Sequence, residues 1–149
     1  MESLEPEREL PLALRAAYMA LHRSTEAKLA PHRVTADQFV LLLALDESRS
    51  LTQRELAHRI SSDPSTVRAM LVLLERNGFV RRAAHPTDSR AKKVELTASG
   101  KRKLRKLWKV SQTIRDEMYV VMTPDEAEIL IRLLRRVSET LGREDAIGR

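Results

Sequence analysis

The chain has 149 residues, 42% of them hydrophobic, which suffices for one domain with a core. It has no cysteine, which excludes disulfides, thiolate metal sites and thiol redox chemistry within it. Its formal charge of +6 is unevenly placed: residues 48–107 hold 15 of the 27 Lys and Arg but 5 of the 21 Asp and Glu, a net of +10, and the remainder is −4. Such a block points to a polyanion partner, the plain alternative being a solvated surface, and with no signal peptide and no apolar run of membrane length the expectation is a cytoplasmic protein without a membrane association.

Few aromatics and leucine-rich spacing at three and four residues predict a mainly α chain of the α+β kind. Helices are expected over 8–30, 36–47, 52–60, 64–77, 98–121 and 124–142. Thr35 with Gln38, Thr52 with Glu55 and Thr123 with Glu126 read as capping boxes, Asp63 followed by Pro64 as a cap and first helical residue, and Thr97 as the start of a long basic helix. On the first helix Leu14, Tyr18, Leu21, Thr25 and Leu29 form a stripe. Leu104, Leu107, Trp108, Ser111, Ile114 and Met118 form another, and Leu130, Leu133, Leu134, Val137 and Leu141 a third.

The segment 52–77 carries the main signal. Two helices joined by a tight turn through Ser61 and Ser62, with Leu56, Ile60, Val67, Leu71 and Leu74 inward, make a helix-turn-helix. Gly78 ends the second helix in a left-handed conformation. "FVRRA" and "KKVELT" then alternate as short strands around the loop "AHPTDSR", giving a basic hairpin. Helix-turn-helix plus hairpin is a winged helix, whose second helix fits the DNA major groove. Ser65, Thr66 and Arg68 on its first turns are the candidate base and phosphate readers. Asp63 is a cap and not a reader, because a carboxylate would repel phosphate. Thr52 and Gln53, at a helix N-terminus whose dipole favours anions, are candidate phosphate contacts, with Thr52 equally a simple cap. Arg49, Lys92 and Lys93 are further backbone-contact candidates, and Arg81 and Arg82 can instead brace the hairpin. The run Lys101, Arg102, Lys103, Arg105 and Lys106 either flanks DNA or is a solvated face.

The stretch 34–104, in "LTQRELA", "DPSTV", "LERNGFVRR" and the Asp88, Arg90, Leu96, Thr97 pattern of "DSRAKKVELT", resembles the multiple antibiotic resistance regulator (MarR) family of transcription factors. The family often has Arg between that Asp and Arg, where this chain has Ser89. The resemblance implies a single domain over 1–149, with a winged helix-turn-helix DNA-binding lobe at 34–104 and long N- and C-terminal dimerisation helices at 1–33 and 105–149. It implies a homodimer on a pseudo-palindromic double-stranded operator, with Arg90 in the minor groove positioned by Asp88; the alternative for that pair is an Asx-turn with a surface ion pair. It also implies a repressor released by a small anionic or aromatic effector bound between the dimerisation helices and the DNA-binding lobe. Arg15, Tyr18, His22, His32 and Arg115 are the candidates there. Their ordinary placement would be Tyr18 in the core and the two histidines on the surface or at the dimer interface.

No catalytic residues, cofactor or metal are expected. The histidines are scattered, His22 and Glu26 alone having ligand spacing, and no nucleophile and base pair or phosphate loop is present. The rival readings are a winged helix used as a protein-protein module, which would need no basic excess, and a metal-responsive regulator, which would need clustered ligands.

Overall fold

The computed structural model of the chain describes residues 5–84 and 92–147. The elements are α1 (Glu5–Leu29) with a 3-10 turn (Ala30–His32), α2 (Ala36–Ser48), β1 (Ser50–Thr52), α3 (Gln53–Arg59), α4 (Pro64–Arg76), β2 (Val80–Ala84), β3 (Lys92–Leu96), α5 (Ala98–Val110), α6 (Gln112–Val120) and α7 (Pro124–Ile147). They pack as two compact units that divide between Ser111 and Gln112. No helix among the described residues is long and apolar enough to cross a membrane.

Most helix starts are where the polar signals place them. Thr35 accepts from Gln38 N–H while the Gln38 side chain accepts from Thr35 N–H, a complete capping box. Thr123 and Glu126 reciprocate in the same way at the head of α7. For α3, Thr52 accepts from Glu55 N–H at 3.1 Å, and among the described residues only this half of the predicted box is formed. Gly78 adopts φ +76° after α4, the conformation expected of a helix-ending glycine.

Two elements differ from expectation. The predicted helix over 98–121 is broken at Ser111, which is buried and bonds its Oγ back to the Trp108 carbonyl at 3.1 Å, competing with the helical ladder. The second is an unpredicted strand, β1, which makes the hairpin three-stranded in the order β1-β3-β2, both pairings antiparallel. Thr52 sits opposite Lys93 in this register, so the cap of α3 is seated in the sheet that carries the hairpin.

The core of the first unit draws one face from each element. Leu29, Leu41, Leu42, Leu45, Leu56, Val67, Leu71, Leu74, Val94 and Leu107 are all essentially inaccessible. Alternation in β3 buries Val94 and Leu96 and turns Lys93 and Glu95 outward, as the sequence pattern requires. Two long side chains lock the helices around this core. Glu26 of α1 accepts the Ala36 N–H at the start of α2, and Lys103 of α5 donates to the His32 carbonyl at 2.9 Å while lying over the Phe79 ring. Lys103 is thus withdrawn from the basic run in which the sequence placed it. Partial burial, then the neighbouring Lys106, lowers its pKa below the ordinary lysine value.

The terminal stripes divide. Thr25 and Leu29 are buried, but Tyr18 is 58% exposed, correcting the expectation that it lies in the core of the chain. On α7, Leu130, Leu133, Leu134 and Leu141 all remain exposed.

Candidate nucleic-acid interface

The site is built by the junction of α3 and α4. Ile60 ends α3, Ser61 turns the chain with φ 53°, and Asp63 starts α4. Across the junction, Gln53 Nε2 donates to the Pro64 carbonyl at 3.4 Å, which brings the first turns of both helices together on one exposed surface. Thr52, Gln53, Ser65 and Thr66 are therefore neighbours, as a surface for reading DNA requires. Arg68, the fifth residue of α4, is exposed and without an acidic partner among the described residues.

The polar first turn of α4 has an internal partner that spacing alone did not disclose. Asp63 Oδ1 accepts the Thr66 N–H at 2.8 Å, the expected cap, and its two oxygens also accept the Ser65 and Thr66 hydroxyls, each at 2.6 Å. The carboxylate is fully engaged as an acceptor, and both hydroxyls have their protons directed to it. Their oxygens keep free lone pairs, so outward they act as hydrogen-bond acceptors.

Those bonds, led by the Ser65 hydroxyl and followed by the Thr66 hydroxyl and N–H, hold the Asp63 carboxyl well below its ordinary value of 3.8. A carboxyl depressed in the folded state contributes stability that is complete above its unfolded pKa and is lost as pH falls through the folded one. Thermal melts of wild type and Asp63→Ala are therefore expected to differ by a constant amount from pH 8 to about pH 5 and to converge below about pH 4. A gap that instead widened under acid would contradict the clamp.

The hairpin is braced by its arginines. Arg81 Nε donates to Glu95 Oε1 at 2.7 Å across the register pair, and Arg82 Nε lies 3.0 Å from Glu75 Oε2, a charge contact tying β2 to the end of α4. Thr97 caps α5 by accepting from Gly100 N–H at 3.0 Å and donates to the Gly78 carbonyl at 2.6 Å, so one hydroxyl joins the end of α4 to the start of α5. Asp88 and Arg90 lie outside the described residues. Lys92 begins β3.

The ligand-site candidates are not gathered by the described geometry. Tyr18 and His22 stack on α1 with ring centroids 5.8 Å apart, and His22 Nε2 is 3.9 Å from Glu26 Oε1. Arg15 is exposed on the same helix, while His32 is half-buried and serves through its carbonyl. Arg115 belongs to the second unit, where it donates to Gln112 Oε1 at 2.9 Å. Among the described residues no group of three or more His, Asp or Glu is arranged to hold a metal ion.

Comparison with known proteins bears on this arrangement. The MarR family model matches residues 34–92. The transcriptional regulator TtmR of Methylorubrum extorquens is 36% identical over 93 residues, covering 62% of this chain and 48% of its own length, so the chain spans about half of that relative. A mutant MarR from E. coli, complexed with operator DNA, superposes with a TM-score of 0.79 at 26% identity, over 92% of this chain and 99% of that one. The transcriptional repressor CouR, bound to a 23-mer DNA duplex, gives the same TM-score and identity over 93% and 99%. These matches converge on the winged helix-turn-helix, and over residues 34–92 the chain is similar to the MarR family.

Proposed function

We propose that the protein is a sequence-specific double-stranded-DNA-binding transcriptional regulator: a homodimeric repressor released by a small anionic or aromatic ligand and acting in the cytoplasm. The observation that carries DNA binding is the exposed Arg68, set beside Ser65 and Thr66 at the head of α4 in the basic part of the chain. Its relatives support the same reading: MarR is found with operator DNA, and CouR, named a repressor, with a duplex. Because the two α4 hydroxyls point their protons at Asp63, they accept from base donors, the exocyclic amines of adenine or cytosine. Thr52, Gln53 and Lys92 contact phosphate, and Asp88 and Arg90 bring the wing to the minor groove.

Dimerisation through 1–33 and 105–149 is supported by the exposed leucines of α7, since symmetric dimers are the commonest way to cover such a stripe. Two recognition helices then address half-sites about one helical turn apart. For the effector, the aromatic pair Tyr18 and His22 with Arg15 on α1 offers the ring surface and charge that an anionic aromatic ligand uses.

Gel shifts on DNA upstream of the protein's own gene, and on sequences enriched from a random library, test this. Arg68→Ala is expected to reduce discrimination between sites by about 1–3 kcal/mol. Lys92→Ala is expected to weaken all sequences alike and to lower the magnitude of the salt slope by up to about two, one contact in each protomer. If both variants lowered affinity uniformly, Arg68 would not be a reader, and absence of any specific binding by a folded dimer would favour a protein-interaction module.

A further inference from the structure

On the outer face of α4, Val72 is 45% exposed. At 3.6 residues per turn, the buried Val67, Met70, Leu71 and Leu74 define one direction. Ser65, Ala69, Val72 and Arg76 lie within about 30° of the opposite one, and Arg68 about 70° to one side. All four are exposed. The ridge that faces away from the core thus runs hydroxyl, methyl, isopropyl, guanidinium. Its first half is small, so the backbone of the helix can come close to a flat partner there, and its apolar centre is bounded by the cations of Arg68 and Arg76.

From this we infer that Val72 is a specificity-determining residue that reads the C5-methyl group of thymine. The inference rests on the DNA-binding reading above. Base edges in the major groove are otherwise donors and acceptors, and the thymine methyl is their apolar feature. With Arg68 toward base edges on one side and Arg76 toward a phosphate at the far end, the ridge is committed to duplex DNA as its occupant. Valine suits the role because its branched Cβ fixes χ1 in a helix, so its methyls are already positioned before binding. The hydroxyls at the head of α4 and the isopropyl group one to two turns later then read chemically different features of one half-site.

The test uses the full-length protein and a duplex enriched by it from a random library. Each thymine of a half-site is replaced singly by 2′-deoxyuridine, which removes only the methyl group. Wild type is expected to lose about fourfold in affinity at one thymine position of the half-site, the effect of one buried methyl, and about sixteenfold when both half-sites are changed. Val72→Ala is expected to bind the unmodified duplex more weakly by a similar factor and to be indifferent to uracil at that position. Its melting temperature should match wild type, since the position is exposed and alanine favours helix. Equal sensitivity of both proteins to uracil, or no sensitive thymine in a duplex that is bound specifically, overturns the role of Val72 and leaves DNA binding standing. Failure to enrich any sequence overturns both.

Discussion

Gly100→Ala is expected to destabilise the protein by about 3 kcal/mol or more, lowering its melting temperature by about 6–12 °C. A Cβ on Gly100 would stand 2.0 Å from the Phe79 carbonyl oxygen and 2.9 Å from its carbon, deep inside contact distance. The obstacle is backbone, and it is held: Phe79 O accepts the Thr97 N–H at 3.1 Å, and Thr97 is fixed by its bonds to Gly78 and Gly100. Relief requires the start of α5 to part from the entry to β2, with loss of those bonds. The other glycines among the described residues provide an internal scale. Gly78→Ala meets no atom within 4 Å but must adopt φ +76°, and is expected to cost about 1–2 kcal/mol. Gly142→Ala, in α7 with open space around it, is expected to be neutral or stabilising by up to about 1 kcal/mol. Chemical denaturation of the three variants checks the order, and a Gly100 variant as stable as wild type would mean that α5 and β2 do not meet as described.

DNA affinity is expected to fall by about 10³ to 10⁵ between roughly 50 and 200 mM salt, if a dimer neutralises about 6–10 phosphates. The basic block of residues 48–107 is the source, but its cations do not contribute equally. Arg59, Arg81 and Arg82 are paired with Glu47, Glu95 and Glu75 at 2.9, 2.7 and 3.0 Å, and such pairs bring little net charge to a phosphate. Arg49, Arg54, Arg68 and Arg76 are exposed and have no acidic partner among the described residues, which makes them available to DNA. Removing a whole pair, Arg81→Gln with Glu95→Gln, should therefore leave the slope of log affinity against log salt unchanged, whereas Arg54→Gln should reduce its magnitude by up to about two, one contact in each protomer. Titration by fluorescence anisotropy at four salt concentrations measures both. A slope near zero for wild type would remove the electrostatic account.

What the sequence disclosed and what it hid follow from how local each cause is. Thr35 with Gln38, Thr123 with Glu126, and Asp63 before Pro64 are interactions within one turn, so residue type and spacing suffice to place them. The same holds for Gly78. The break at Ser111 was hidden because apolar spacing continues through it from Leu104 and Leu107 to Ile114, and a serine hydroxyl bonding back to Trp108 leaves no mark on that period. β1 was hidden because three residues carry no readable alternation and owe their strand to β3, far along the chain. In the candidate site, the reading residues of α4 were legible by type. The direction of the Ser65 and Thr66 protons was not, since it depends on a carboxylate that spacing identifies only as a backbone cap.

The strand order β1-β3-β2 has a further effect on how copies of this protein coexist. A strand at the rim of a sheet offers unpaired N–H and C=O groups to any other chain, and neighbouring sheets can zip together along it. Here the strand with the longest run of ladder bonds, β3, is enclosed on both sides, leaving as rims the three-residue β1 and a β2 that carries Arg81 and Arg82 in succession. One rim is too short to template a ladder, and the other is lined by charged side chains, Arg81 and Arg82 with their partners Glu95 and Glu75, which disfavour an edge-to-edge neighbour. Lobes crowded side by side on tandem sites, or at high concentration during synthesis, are thereby kept from polymerising through their wings.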